Sequence, residues 1–193
     1  EKEAVRVANE VGYPVALKIE SPQIMHKSDA GCIRLNIKTA EELAIAFDEV
    51  IMNAQRYNPE AEIAGVLVQE MVLDGLEVIA GINRDPQFGP TILFGLGGIF
   101  VEVLEDISLR LLPITRRDAE EMIREIKGYK ILQGVRGQPA RDIDALIDTL
   151  LKVSRMAEDL EDRISEMDLN PMMVFETGKG IKVVDSLMIL NQE

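Results

Sequence analysis

The chain has 193 residues, 47% of them apolar and 28% charged, with 34 acidic against 21 basic side chains and a formal charge of −13. That composition is too apolar for disorder, and the length allows a buried core in one domain or two small subdomains. The acidic balance opposes nonspecific duplex binding, no uncharged apolar stretch reaches the roughly 20 residues of a membrane span, and no basic-then-apolar opening points to secretion. Cys32 is the only cysteine, which leaves no disulfide framework and fits a reducing cytoplasm. The first residues carry no initiator Met and already follow a helical pattern, as expected of a fragment, a processed chain or a trimmed one.

Ala4, Ala8 and Val11 recur at helical spacing, and Gly12 stands where a C′ glycine stops a helix. After Tyr13-Pro14, Val15, Leu17 and Ile19 alternate as one face of a strand, with Lys18 on the other. Thr39 to Glu42 reads as a capping box before a helix with Leu43, Phe47, Val50, Ile51 and Ala54 on its apolar side. Gly65–Val68 predicts a strand that runs into Gln69-Glu70-Met71, and Val78, Ala80 and Ile82 alternate in the next. Thr91–Phe94 leads into Gly95-Leu96-Gly97-Gly98, and Ile107, Leu109 and Leu111 predict a further strand. Thr115 to Asp118 is a second capping box, ahead of a stripe of Ala119, Met122, Ile123 and Ile126. Residues 128–141 read as a loop, followed by a helix presenting Ile143, Leu146, Ile147, Leu150, Ser154 and Ala157. Two strands, 164–175 and 181–189, close the chain. Helices and strands intermix without strict βαβ alternation, so the expectation is α+β in two subdomains, 1–70 and 71–193.

The terminal hairpin carries the clearest chemical pattern. Glu166, Asp168 and Asn170 alternate with Met167 and Leu169, so three oxygen-bearing side chains share a face. A two-residue turn at 177–178 sets Asn170 opposite Asp185, with Cβ atoms roughly 4.5–5.5 Å apart. A four-residue loop brings Leu187 opposite Asn170 instead. Opposed carboxylate and amide oxygens suit a hard cation such as Mg²⁺ shared with substrate phosphates; a solvated polar face accounts for the same alternation. Lys18 is a point charge for phosphate oxygens or an ordinary exposed lysine. The glycines at 95–98 form either a nest of amides or a tight turn, and match neither the P-loop nor the dinucleotide fingerprint. His26, the only histidine, lies among polar and glycine neighbours and reads as a loop residue, incidental or else a phosphoryl acceptor or proton carrier. Cys32 has no partner and reads as structural.

In order, Pro14-Val15-Ala16-Leu17-Lys18, His26-Lys27-Ser28-Asp29-Ala30-Gly31, Val68-Gln69-Glu70-Met71, Gly75-Leu76-Glu77 and Asp85 to Pro90 are followed by Gly95 to Glu102, Gly134-Val135-Arg136-Gly137, Asp168-Leu169-Asn170-Pro171 and Val184-Asp185. This set resembles the ATP-grasp domain of ADP-forming acetyl-CoA synthetases, in particular their separate beta subunit, over nearly the whole chain. The resemblance implies an ATP-grasp fold with ATP/ADP between two α+β subdomains. It implies Lys18 on the phosphates, Gln69, Glu70 and Met71 as the hinge against adenine, Glu77 on the ribose, and Arg136 as a further phosphate contact. Asn170 and Asp185, with Asp168 close by, would hold Mg²⁺. His26 would relay a phosphoryl group, since in-line transfer between distant sites needs a mobile carrier.

The implied reaction is acyl-CoA + ADP + phosphate ⇌ acid + CoA + ATP, with an alpha subunit supplying the CoA-binding and ligase domains. This chain alone would bind nucleotide without turning over acyl-CoA. Cys32 departs from a glycine frequent in the family, and the segment expected before the first helix is missing from the sequence. Two alternatives are a succinyl-CoA synthetase-like beta subunit and a regulatory ATP-grasp module of a larger acyltransferase. Nucleic-acid and membrane partners are not expected.

Overall fold

The structure, a computed structural model, describes residues 1–25, 27–98 and 105–191. Ala4 and Ala8 bury the inner side of α1 (Lys2–Val11), which stops at Gly12, a residue in the left-handed region at φ 91°. β1 (Val15–Glu20) lies between β2 (Ile33–Ile37) and β3 (Gly65–Glu70), antiparallel to both. One extra residue bulges β2 between Arg34 and Ile37, and Asn36 takes it up at φ 60°, a conformation asparagine tolerates. α2 (Ala40–Tyr57) buries Leu43, Ala46, Val50 and Ala54. Leu43, Ala46 and Val50 join Ala4, Ala8, Val15, Leu17 and Ile37 in one core. Thr39 caps α2 by accepting from the Glu42 amide at 3.2 Å. The return arm of the expected box differs: Glu42 Oε2 receives the Lys38 amide, one residue before the cap.

The second unit is built on a larger antiparallel sheet. β4 (Leu76–Asp85), β5 (Gly89–Leu96) and β6 (Ile107–Leu111) form one side of it. β7 (Ile164–Val174) pairs β4, and β8 (Ile181–Val183) and β9 (Ser186–Leu190) both pair β7. Val78, Ala80, Ile82, Ile92, Phe94 and Leu96 face α3 (Arg116–Glu125) and α5 (Ile143–Asp159), whose Met122, Ile123, Leu146 and Leu150 are all buried. At roughly 25 cal/mol per Å² of apolar area removed from water, this shared face is the main stabiliser of the unit. Thr115 and Asp118 form both arms of a capping box. Ser154, on the buried stripe of α5, accepts the Ile114 amide at 3.1 Å, which satisfies a buried donor.

Two expectations change. Residues 128–141 contain a short helix, α4 (Tyr129–Leu132), because one turn suffices to bury Leu132 between the flanking glycines. The last strand is interrupted at Val184-Asp185, giving β8 and β9 where a single strand was expected. By its contacts the chain divides into two compact units, Glu1–Leu73 and Asp74–Glu193.

Candidate functional site

Lys18 stands in the middle of β1, with Ile33 and Leu67 as its cross-strand neighbours. Leu17 and Ile19 point to the apolar side, so Lys18 shares the opposite face with Ala16. Gln69 pairs with Ala16 and therefore lies on that same face, one step along from Lys18. Glu70 pairs with Val15 and turns to the other side, exposed. Met71 prolongs the ladder by donating its amide to Pro14 O at 3.1 Å. Lys18 is only 4% exposed, so the sheet holds it in place rather than leaving it to sample solvent.

His26 lies outside the described residues, but the chain on both sides is tied down. Ile24 is buried with Ala30 and Cys32 in a small core. The Cys32 amide donates to Lys27 O at 2.8 Å, and Gly31 O receives Arg34 Nη1 at 3.0 Å and Asn53 Nδ2 at 2.8 Å. Lys27 Nζ sits 3.7 Å from Glu20. Cys32 is fully buried, its thiol donates to Ala30 O, and burial raises its pKa, all of which fits a structural cysteine.

In the second unit Glu77 lies at the start of β4, opposite Met173, with its side chain exposed. Gly97 donates to Glu77 O at 2.8 Å, so its amide continues the β4–β5 ladder rather than lining an anion nest. A Cβ on Gly97 would lie 2.9 Å from Glu77 Cβ, which explains the glycine by close approach. Ile99–Glu102, the remainder of that motif, falls outside the described residues.

The hairpin register is that of the two-residue turn. Asp168 pairs with Leu187, Leu169 with Ser186 and Met172 with Val183, and the Asn170 amide donates to Asp185 O at 3.1 Å. Asn170 and Asp185 are therefore opposed, at the gap between β8 and β9. Against β4, β7 holds one extra residue near Asn170-Pro171: Ala80 pairs with Leu169 but Val78 with Met172. This bulge lets Leu169 and Met172 both pack on the core while Asn170 stays exposed. Asp168 occupies the outward face beside Gly81, where a Cβ would lie 3.9 Å from Asp168 Oδ1. Asp185 Oδ1 accepts the Ser186 amide at 3.0 Å. The donors are two carboxylates and an amide oxygen, a set suited to a hard cation such as Mg²⁺ and not to a metal that prefers nitrogen or sulfur. Among the described residues, no three His, Cys, Asp or Glu side chains gather into a metal cluster.

Arg136 is exposed and adopts φ 52°, followed by Gly137 at φ 81°, in a turn closed by Gln138 N to Val135 O at 2.9 Å. A non-glycine residue in this region is uncommon and is a pointer to function. Sequence reasoning passed over Asp142. Its Oδ1 caps α5 through the Ala145 amide at 3.1 Å, while Oδ2 accepts from Gly178 and Gly180, each at 2.9 Å. The Gly180 amide, aided by those of Ala145 and Gly178, holds this carboxyl below the usual carboxylate range even though burial opposes it. Its position before Ile143 is a legible N-cap signal; its grip on the distant turn is not.

The ATP-grasp domain family matches residues 1–190. This chain belongs to that family. It is 55% identical over 188 residues to the beta subunit of acetate–CoA ligase (ADP-forming) II of Pyrococcus furiosus, a match covering 97% of this chain and 80% of that one. It is 52% identical over 191 residues to acetate–CoA ligase (ADP-forming) I of Archaeoglobus fulgidus, and there spans 99% of this chain but 27% of the longer protein. A crystal structure from Pyrococcus horikoshii superposes with a TM-score of 0.93 at 55% identity, covering 100% of this chain and 81% of that one. The acetyl-coenzyme A synthetase of Candidatus Korarchaeum cryptofilum, solved with coenzyme A and Mg-AMPPCP and with its phosphohistidine segment pointing towards the nucleotide site, gives 0.81 at 46% identity over 98% of this chain and 82% of that one. The ATP-grasp fold expected from the sequence is thus the observed fold. No helix among the described residues is long and apolar enough to cross a membrane.

Proposed function

We propose that this ATP-grasp chain is the nucleotide-binding beta subunit of an ADP-forming acyl-CoA synthetase, working in the cytoplasm with an alpha subunit that carries the CoA-binding and ligase domains. The observation that carries this reading is the 55% identity, spanning four fifths of the relative, to a beta subunit of an ADP-forming acetate–CoA ligase. The same fold occurring within a single longer ligase supports a partner that supplies the remaining domains. The reaction is acyl-CoA + ADP + phosphate ⇌ acid + CoA + ATP.

In this reading Lys18 neutralises nucleotide phosphate charge, and Arg136 adds a second cation. Gln69, Glu70 and Met71 offer backbone groups to adenine, and Glu77 accepts from the ribose hydroxyls. Asp168, Asn170 and Asp185 hold Mg²⁺, which when bound neutralises charge on the phosphate oxygens. His26 carries the phosphoryl group. One imidazole nitrogen would take it from a phosphohistidine of the alpha subunit, the donor's N–P bond breaking as the new one forms, and that N–P bond then breaks as an ADP β-phosphate oxygen forms the new P–O bond of ATP. An overall charge of −13 makes local cations necessary for an anionic ligand, and Lys18 is held at a fixed position by the strands around it.

The test is reconstitution with an alpha subunit and measurement of ATP formed from acetyl-CoA, ADP and phosphate. His26→Ala is expected to abolish ATP formation while leaving ADP affinity intact. Full activity in that variant overturns the relay, and nucleotide binding without turnover in any mixture favours a regulatory module.

A further inference from the structure

We propose that Asp142 is a positioning residue for the metal pair, because it closes the turn that decides which residue stands opposite Asn170. The inference rests on the assignment of Asn170 and Asp185 as metal ligands. Side chains alternate with a period of two, so a two-residue slip of the last strands changes the face only of residues that pass the β7 bulge, Asp185 among them, which would come to stand opposite Met172. Such a slip places Leu187 opposite Asn170 and removes Asp185 from the pair. Core packing offers little resistance to it. All residues of β8 and β9 are exposed or half-buried, and Val183 would take the place of Ile181 opposite Val174, apolar for apolar.

The ends of the hairpin therefore hold the register, and the turn is the end nearer the pair. It closes through Phe175 N to Gly180 O at 3.1 Å and Lys179 N to Glu176 O at 2.9 Å, with Thr177 and Gly178 at its centre. Asp142, 8% exposed and fixed at the start of α5, takes the Gly178 and Gly180 amides on one oxygen. Its own amide donates to Phe175 O at 2.9 Å, and Thr177 N donates to Ala140 O at 3.1 Å. Charge-assisted bonds to two alternate amides select a turn of one length, because a longer loop presents other groups there. Beyond Asp185, Asn191 is a second anchor at the far end, through Arg163 O at 2.8 Å and Asp162 O at 2.9 Å, so Asp142 holds the register from the turn end and Asn191 from the other.

The experiment titrates Mg²⁺ into the full chain with ADP by calorimetry, and follows amide exchange at Asn170 and Val184, which donate to Asp185 O and Pro171 O. Asp142→Ala is expected to keep metal-free ADP affinity, to need about tenfold more Mg²⁺, at the low end for residues behind a ligand, and to lose protection at those two amides while β4 and β5 stay protected. Asp142→Asn keeps one acceptor oxygen and is expected to recover part of both, and it serves if the alanine variant does not fold. Unchanged protection and an unchanged Mg²⁺ midpoint in both variants overturn the positioning role. If Mg²⁺ has no effect on wild-type binding and Asp185→Ala changes nothing, the metal assignment fails and the positioning role falls with it. An effect of Asp185→Ala without one of Asp142→Ala overturns the positioning role alone.

Discussion

The two units hold their polar groups in opposite ways. In the first, Lys18 sits in a β1–β3 ladder that is unbroken from Val15 to Glu20, the bulge on β2 lying nearer Val15. In the second, Asn170 and Asp185 sit at irregularities: a bulge on β7 and the break between β8 and β9. A regular ladder fixes a single cation by repetition, whereas an opposed pair from two strands depends on their register.

The sharpest way to break this contrast is to disturb each core separately. Leu150→Ala, fully buried under the second sheet, is expected to cost about 2–5 kcal/mol in denaturant unfolding. It should also loosen the hairpin amides; a loss confined to α5 would contradict a sheet that depends on its helices. Lys18→Ala is expected to weaken ADP binding by about 1.5–3 kcal/mol, the value of a hydrogen bond to a charged group. Lys18→Arg should not restore it, since the larger planar head does not fit a buried strand position. Calorimetric affinities equal to wild type for the alanine variant would remove Lys18 from the site.

Gly97→Ala forces a methyl to 2.9 Å from Glu77 Cβ and is expected to cost about 1–3 kcal/mol, seen as a lower melting temperature. A neutral result would return the glycines to the anion-nest reading. The smallest effect concerns pH. Because the Asp142 carboxyl lies below its unfolded value, its contribution is fully present above about pH 4 and fades as pH falls through the folded pKa. Asp142→Asn should flatten that part of the acid limb in melts from about pH 6 to about pH 2.5. An acid limb identical to wild type would show that another carboxylate dominates.

Much of this was legible in the chain. The alternation of Val15, Leu17 and Ile19 determined that Lys18 would face away from the apolar side, because strand geometry leaves no other choice. Thr115 and Asp118 announced their helix start, and Val78, Ala80 and Ile82 announced their inward face. The short helix at 129–132 was not legible, since glycines at 128, 134 and 137 mask one turn stabilised by the burial of Leu132. The break at Val184-Asp185 was equally hidden, because apolar residues stand on both sides of it and neither glycine nor proline marks the interruption.

Local chemistry by itself determined the element order, the inward faces and the set of oxygen donors at Asp168, Asn170 and Asp185. Those follow from periodicity and from side-chain type, which each residue carries wherever it goes. Only the tertiary structure decided between Asp185 and Leu187 as the residue opposite Asn170. Both registers satisfy the same period of two, and the difference lies in contacts at the two ends, among them a carboxylate from the start of a helix some thirty-six positions away from Gly178. A contact of that separation has no signature in the pattern of either segment.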